Sequence, residues 1–203
     1  MKQIKFGNRT RVPSKVVCVG RNYVEHIHEL GNEIPSSMVL FNKPNSAITN
    51  ELAYFDEACR FEGEICFLIQ DGVIGGVGFG LDLTRAAVQN RMKEKGLPWE
   101  RAKAFDGSAV LSEFVSFDPA EMERISMKLY RNGELVQYAT YDLMIYKPDE
   151  IVREISSFMT LEDGDIVMSG TPKGVSNYER GDHFAAELLL DDEVILKCRF
   201  TAQ

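Results

Sequence analysis

Short apolar runs, each bounded by glycine, proline or paired polar residues, recur along this chain and predict strands. Val16–Val19 stops at Gly20, and Phe61–Ile69 is apolar over most of its length. Val73–Phe79 threads glycines between valine, isoleucine and phenylalanine. Met127–Tyr130 and Leu135–Tyr138 flank Asn132-Gly133, the strongest short signal for a hairpin. Phe184–Leu190 and Val194–Phe200 flank Asp191-Asp192 and form a second hairpin candidate, while Asp165–Met168 precedes a Gly/Pro turn. Helical periodicity is scarcer. Asn22–Leu30 is short, with Gly31 as its expected C-cap. Thr84–Lys95 opens on a candidate capping threonine and closes on a basic turn before Gly96. Pro148–Met159 starts with proline and acids and carries Ile151, Ile155 and Met159 four apart. Many strands with a few helices, not strictly alternating, predict an α+β fold. No repeat, low-complexity stretch or linker divides the chain. The expected organisation is a short arm over residues 1–15 and one domain over residues 16–203.

Composition changes this picture little. The 203 residues are 44% hydrophobic and 27% charged, enough for a sizeable core without staples. The formal charge of −8 disfavours nucleic acid or an anionic membrane as the main partner. It leaves an anionic small molecule open, because a few local cations reverse the sign inside a cleft. Cys18, Cys59, Cys66 and Cys198 form no C-x-x-C pair and read as small buried hydrophobes in a reducing compartment. No apolar run is long enough for a membrane span, and Met1–Gly7 lacks the apolar core of a signal peptide. The expected location is the cytoplasm.

The candidate chemistry begins at Glu62-Gly63-Glu64. In an extended strand, residues two apart face the same way, so both carboxylates project side by side at the mouth of an apolar run. Such a pair repels and is costly to desolvate, and a divalent cation relieves both problems. All-oxygen ligands favour Mg²⁺, Mn²⁺ or Ca²⁺ over zinc. The plain alternative is a solvated strand end with a bulge at Gly63. Asp82, where a Gly-rich strand gives way to a helix, either caps that helix or completes a three-carboxylate face with room for water and substrate. Oxygens that diverge, or a basic side chain filling the gap between the three, would end the argument for a metal there. His26 and Glu29 are i, i+3 and would touch on a helix, as a water-activating dyad does or as a surface pair does. His28 reads as solvated and His183 as a turn residue. Lys103 and Lys43 are available to hold a carboxylate or to lie on the surface. Gly170-Thr171-Pro172-Lys173-Gly174 lacks the spacing of a nucleotide loop, yet Thr171 and its backbone N–H groups could hold one anionic group.

These pieces follow one another in an order that resembles the fumarylacetoacetate hydrolase family, and its short acylpyruvate hydrolase branch in particular. The resemblance rests on Val16–Tyr23, the H-x-x-E of His26 and Glu29, Leu40–Pro44, Glu62-Gly63-Glu64, Leu81–Thr84, Val88-Gln89, Lys95–Trp99, Ala102–Asp106 and Gly170–Val175. It implies a mixed β-roll with a few short helices, a single catalytic domain over residues 16–203, and a homodimer. It also implies Mg²⁺ or Mn²⁺ on Glu62, Glu64 and Asp82, and a catalytic His26–Glu29 dyad on a segment that orders over substrate. Lys103, Gln89, Thr171, Lys43 and Arg21 would contact the substrate. The family's arginine after the metal aspartate appears here as Arg85, one place early, with Ala86 in its expected position. One residue is about 100° of helix rotation, so Arg85 joins the expected substrate contacts with the substrate class left open.

The implied reaction is hydrolysis of a C–C bond in an acylpyruvate-type 2,4-dioxo acid. The acid chelates the metal, and His26 takes a proton from water, which attacks the distal carbonyl. The departing pyruvate enolate is stabilised by the metal and Lys103. Oxaloacetate decarboxylation, or isomerisation of a 2-oxo dioic acid, would use the same site. A family member that binds a 2-oxo acid without catalysis is a third reading.

Overall fold

The computed structural model describes residues 1–29, 35–56 and 58–203. The expected C-cap at Gly31 and the placement of the His28 side chain lie outside the described residues. The first strands are β1 (Ile4–Phe6), β2 (Arg9–Arg11) and β3 (Lys15–Gly20), followed by helix α1 (Val24–Glu29) and β4 (Val39–Pro44). Then come β5 (Ile48–Thr49), β6 (Cys59–Phe61), β7 (Gly63–Gln70), β8 (Val73–Asp82) and β9 (Thr84–Arg85). Helices α2 (Ala86–Glu94) and α3 (Glu100–Lys103) lead to β10 (Ala109–Ser116), β11 (Ile125–Arg131) and β12 (Glu134–Thr140). Helix α4 (Pro148–Ser156), β13 (Ile166–Met168), β14 (Ser176–Asn177), β15 (His183–Leu190) and β16 (Glu193–Thr201) complete the chain.

The main sheet runs β2-β1-β10-β8-β7-β13-β3-β4. It is mixed: β1 and β5 lie parallel to β10, and β13 parallel to β3, among otherwise antiparallel pairs. A second, antiparallel sheet runs β12-β11-β15-β16 and packs on one face of the first. A mixed, curled sheet with few short helices is the α+β architecture expected from the sequence. The first residues are part of it, since β1 and β2 form a hairpin that extends the main sheet at β10.

The centre of the fold explains why Phe61–Ile69 reads as a continuous apolar run. Both faces of β7 are buried, as in sheets covered on two sides. Ile65, Phe67 and Ile69 enter the larger core, with Phe79, Leu129 and Ile151, whereas Cys66 and Leu68 enter a smaller core with Cys18, Phe114 and Met168. Gly76, Gly78 and Gly80 of β8 face that smaller core. A Cβ on Gly78 would stand 2.8 Å from the Phe114 ring, and one on Gly80 would stand 2.7 Å from Cys66 Sγ. Their side-chain space is already taken by the neighbouring strands.

The hairpins fall where the turn residues place them. Asn132 and Gly133 both take positive φ, 52° and 88°, as a two-residue turn between β11 and β12 requires. Asp191 has φ 52° in the turn joining β15 and β16. One helix start and one helix end differ from expectation. Thr84 does not cap a helix: Thr84–Arg85 pairs with β6, and α2 begins at Ala86. The α4 helix ends at Ser156, three residues before Met159. Among the described residues, no helix is long and apolar enough to cross a membrane.

Candidate active site

The register of β7 against β8 builds the carboxylate cluster. Glu64 lies opposite Gly80, and the Asp82 N–H donates to the Glu62 carbonyl at 2.9 Å. Glu62 itself falls between β6 and β7 rather than within one strand. The three side chains offer carboxylate oxygens within 4.8 Å of one another, with Glu64 and Asp82 buried and Glu62 half-buried. Asp82 therefore joins the cluster and caps no helix.

Two lysines complete it. The Lys103 ammonium reaches Glu62 Oε2 at 2.9 Å and Asp82 Oδ2 at 2.6 Å. The Lys43 ammonium stands 2.7 Å from Asp82 Oδ1. Glu62 Oε1 accepts from the Thr84 hydroxyl at 2.6 Å, and Glu64 Oε2 accepts from Gly170 N–H at 2.7 Å. Burial pushes the Glu62 carboxyl up, but the Lys103 ammonium, the Thr84 hydroxyl and the nearby His26 outweigh it and leave it below its ordinary value. For Glu64, burial is reinforced by the charges of Asp82 and Glu62, and its carboxyl is held well above the glutamate range. Burial disfavours the Lys103 ammonium, yet Asp82 and Glu62 more than restore it. Lys103 is thus a fixed positive charge.

The residues fit a hard divalent cation. The donors are all carboxylate oxygens, and burial together with the charges of Asp82 and Glu62 opposes ionisation of Glu64, a cost that a cation would relieve. Lys103 does stand between two of the three carboxylates. It does not neutralise Glu64, and each carboxylate has lone pairs for more than one partner. Glu62, Glu64 and Asp82 would be the ligands.

The His26–Glu29 contact forms as the helical spacing predicts. His26 is 5% exposed, and its Nδ1 lies 3.2 Å from Glu29 Oε2. Both Glu29 oxygens also accept from Gly174 N–H, at 3.1 and 3.2 Å, and Lys173 pairs with Glu25 at 3.0 Å. Helix α1 is thereby tied to the 170–174 loop. Gly174 has φ 101°, and a Cβ there would stand 2.0 Å from the Val136 carbonyl. Gly174→Ala is accordingly expected to displace this loop and lower Tm by about 5–10 °C in thermal denaturation.

The remaining expected substrate contacts divide. Lys43 is fully buried, with its ammonium against Asp82. Thr171 is 4% exposed; its hydroxyl donates to the Gly63 carbonyl at 2.9 Å and accepts from Gln137 at 2.8 Å. Arg85 lies with its guanidinium 4.4 Å from the Phe105 ring centre and 5.5 Å from that of Phe55. Its Nε is buried without a hydrogen-bond partner. Gln89 is half-buried on α2, and Arg21 takes φ 59° at the turn from β3 into α1.

Several structural members of the site escaped the sequence pattern. Asn22 is buried and bonds to the Ser169 carbonyl at 2.7 Å and the Tyr146 carbonyl at 3.0 Å, joining the start of α1 to the loop after β13. Gln137 links Gly63 N–H, at 2.8 Å, to Thr171. Ser108 bonds the Lys103 carbonyl at 2.8 Å. Each acts across a long sequence separation or through backbone, which leaves no local signature. The Asn22 position inside a motif was the available hint. The cavity beside α1, about 200 Å³, is lined by Tyr23, Val24, Tyr138, Leu143, Pro172 and Lys173 among others. The larger cavity of about 500 Å³ lies between β1 and β16 and contains none of the cluster.

Comparison with known proteins places this geometry. Residues 15–201 match the family model described as fumarylacetoacetate (FAA) hydrolase C-terminal. The chain is 40% identical over 190 residues to oxaloacetate tautomerase YcgM of Escherichia coli (strain K12), covering 83% of this chain and 85% of that protein. A candidate fumarylacetoacetate isomerase/hydrolase from Oleispira antarctica superposes with a TM-score of 0.94 at 37% identity, over 100% of both chains. Fumarylpyruvate hydrolase from Pseudomonas aeruginosa, solved in complex with Mn²⁺ and pyruvate, gives a TM-score of 0.86 at 30% identity, over 100% of this chain and 96% of that one.

Proposed function

This chain belongs to the fumarylacetoacetate hydrolase family, and on that premise we propose that it is a divalent-metal-dependent enzyme interconverting the enol and keto forms of oxaloacetate. The observation that carries the reading is the convergence of Glu62, Glu64 and Asp82 within 4.8 Å beside a buried lysine ammonium. The choice of substrate is supported by the identity with the Escherichia coli tautomerase. It departs from the acylpyruvate hydrolysis that the sequence motifs favour, and takes up the isomerase alternative on the same site. Residues 16–203 would serve as one catalytic domain, acting as a homodimer in the cytoplasm.

A bound Mg²⁺ or Mn²⁺ would supply Lewis acidity at the oxygens of the 2-oxo acid. The rest of the chemistry falls to side chains. Tautomerisation moves a proton between C3 and the oxygen on C2 as the double bond shifts between C2–O and C2–C3, and charge builds on that oxygen. Lys103, a fixed charge, is suited to stabilise it and unsuited to accept the proton. His26 is suited to exchange the proton. The Glu29 carboxylate accepts from Nδ1–H, which leaves Nε2 as the acceptor.

Hydrolysis of acylpyruvates is the second reading, favoured by the same His26–Glu29 dyad, which also suits water activation. The two are separated by following ketonisation of enol-oxaloacetate and cleavage of an acylpyruvate panel, with Mg²⁺ and with chelator. The expected result is chelator-sensitive ketonisation with a kcat/KM at least about tenfold above that for any acylpyruvate. His26→Gln is expected to lower it by about 10²–10⁴-fold. Ketonisation no faster than in metal-containing buffer, with acylpyruvate cleaved, would reverse the assignment.

A further inference from the structure

Lys43 has no exposed surface at all. Its ammonium faces Asp82 Oδ1 at 2.7 Å, donates to the Lys103 main-chain carbonyl and donates to Ser108 Oγ at 3.1 Å. Ser108 Oγ in turn donates to the same Lys103 carbonyl at 2.8 Å. A buried ammonium is costly unless it is paired, and here its partners are Asp82, the Lys103 carbonyl and Ser108, itself bonded to that carbonyl. We propose that Lys43 is a positioning residue that sets the spacing between Asp82 and Lys103, with no contact to substrate. This rests on the reading of Glu62, Glu64 and Asp82 as metal ligands.

The mechanical reason lies in the elements that carry the three residues. Lys43 is on β4, fixed to β3 by the Val16–Lys43 pairing, and Asp82 ends β8. Lys103 ends α3, a four-residue helix with one turn and little stability of its own. By holding the last carbonyl of α3 and the carboxylate of β8 together, Lys43 couples a weak element to the rigid sheet. It thereby fixes where the Lys103 ammonium and the Asp82 oxygens stand.

Electrostatics alone predicts the opposite sign. If Lys43 contributed only its charge, removing it would draw a divalent cation closer. If it positions Asp82, removing it weakens the cation site. Lys43→Met keeps the chain length and deletes the charge. Mn²⁺ binding measured by calorimetry is expected to weaken by about 10–100-fold. The kcat for oxaloacetate is expected to fall by a similar factor while KM stays within about threefold. Tighter or unchanged Mn²⁺ binding overturns the proposal, and so does a raised KM with kcat preserved, the mark of a substrate contact. If the wild-type protein binds no Mn²⁺, the metal reading fails and this proposal with it; if the wild type binds and the variant binds equally, this proposal alone fails. Should Lys43→Met not fold, Ser108→Ala keeps the charge and removes the bond that steadies it. The expected change is then smaller but in the same direction, and unchanged Mn²⁺ affinity and kcat overturn the proposal.

Discussion

Glu64→Gln is expected to abolish chelator-sensitive turnover while raising the thermal stability of the metal-free protein. The two effects have one origin. Glu64 is 2% exposed and sits beside two other carboxylates, and burial together with the charges of Asp82 and Glu62 holds its carboxyl well above the ordinary range. A folded-state value above the unfolded one means that the group stabilises the fold while protonated. That contribution is complete below the ordinary glutamate range and is lost as the pH rises through the folded value. Glutamine keeps an oxygen for the Gly170 N–H and carries no charge, so the variant escapes the penalty. It also loses the anionic donor, and turnover should fall by at least about 10²–10³-fold. Differential scanning calorimetry with and without Mn²⁺ checks both arms. A higher Tm without metal and no rise on adding Mn²⁺ is the expected pair of results. A variant that is active, or that Mn²⁺ stabilises as it does the wild type, would remove Glu64 from the metal site.

The sequence made the fold legible where local chemistry and fold agree. Asn132-Gly133 adopts the turn those residues favour, and β7 reads as a double-sided strand because both its faces are covered. Glu62, Glu64 and Asp82 were legible because an apolar run and a Gly-rich run end in acids, which is costly unless something compensates them. Thr84 was misread. Threonine before a helical stretch looks like a cap, and the hydroxyl instead bonds Glu62, a partner twenty-two positions away. The same limit hid the surroundings of Lys43, a candidate by its motif: a lysine flanked by asparagine and proline gives no sign that its ammonium is buried against a carboxylate from another strand. Arg85 shows a physical consequence of its one-place shift. The helix starts after it, and two aromatic rings engage its guanidinium. Arg85 is therefore anchored by packing.

Lys103→Met should separate the two properties that Glu64→Gln loses together. The Lys103 ammonium lies against Glu62 and Asp82, so it offsets the charge of two of the three carboxylates proposed to hold the cation. Deleting it leaves three carboxylates facing the single ammonium of Lys43, and Mn²⁺ should bind more tightly. Turnover should nevertheless fall by about 10²–10³-fold, because the charge proposed to stabilise the developing enol oxygen is gone. Lys43→Met carries the opposite sign for Mn²⁺, although both variants delete one buried ammonium near Asp82. Equal charge changes with opposite effects on affinity would distinguish a cation that competes for the ligand oxygens from one that holds them in place. Weaker Mn²⁺ binding in Lys103→Met would mean that Lys103 also orders Glu62 and Asp82, and that the site depends on both lysines for its shape.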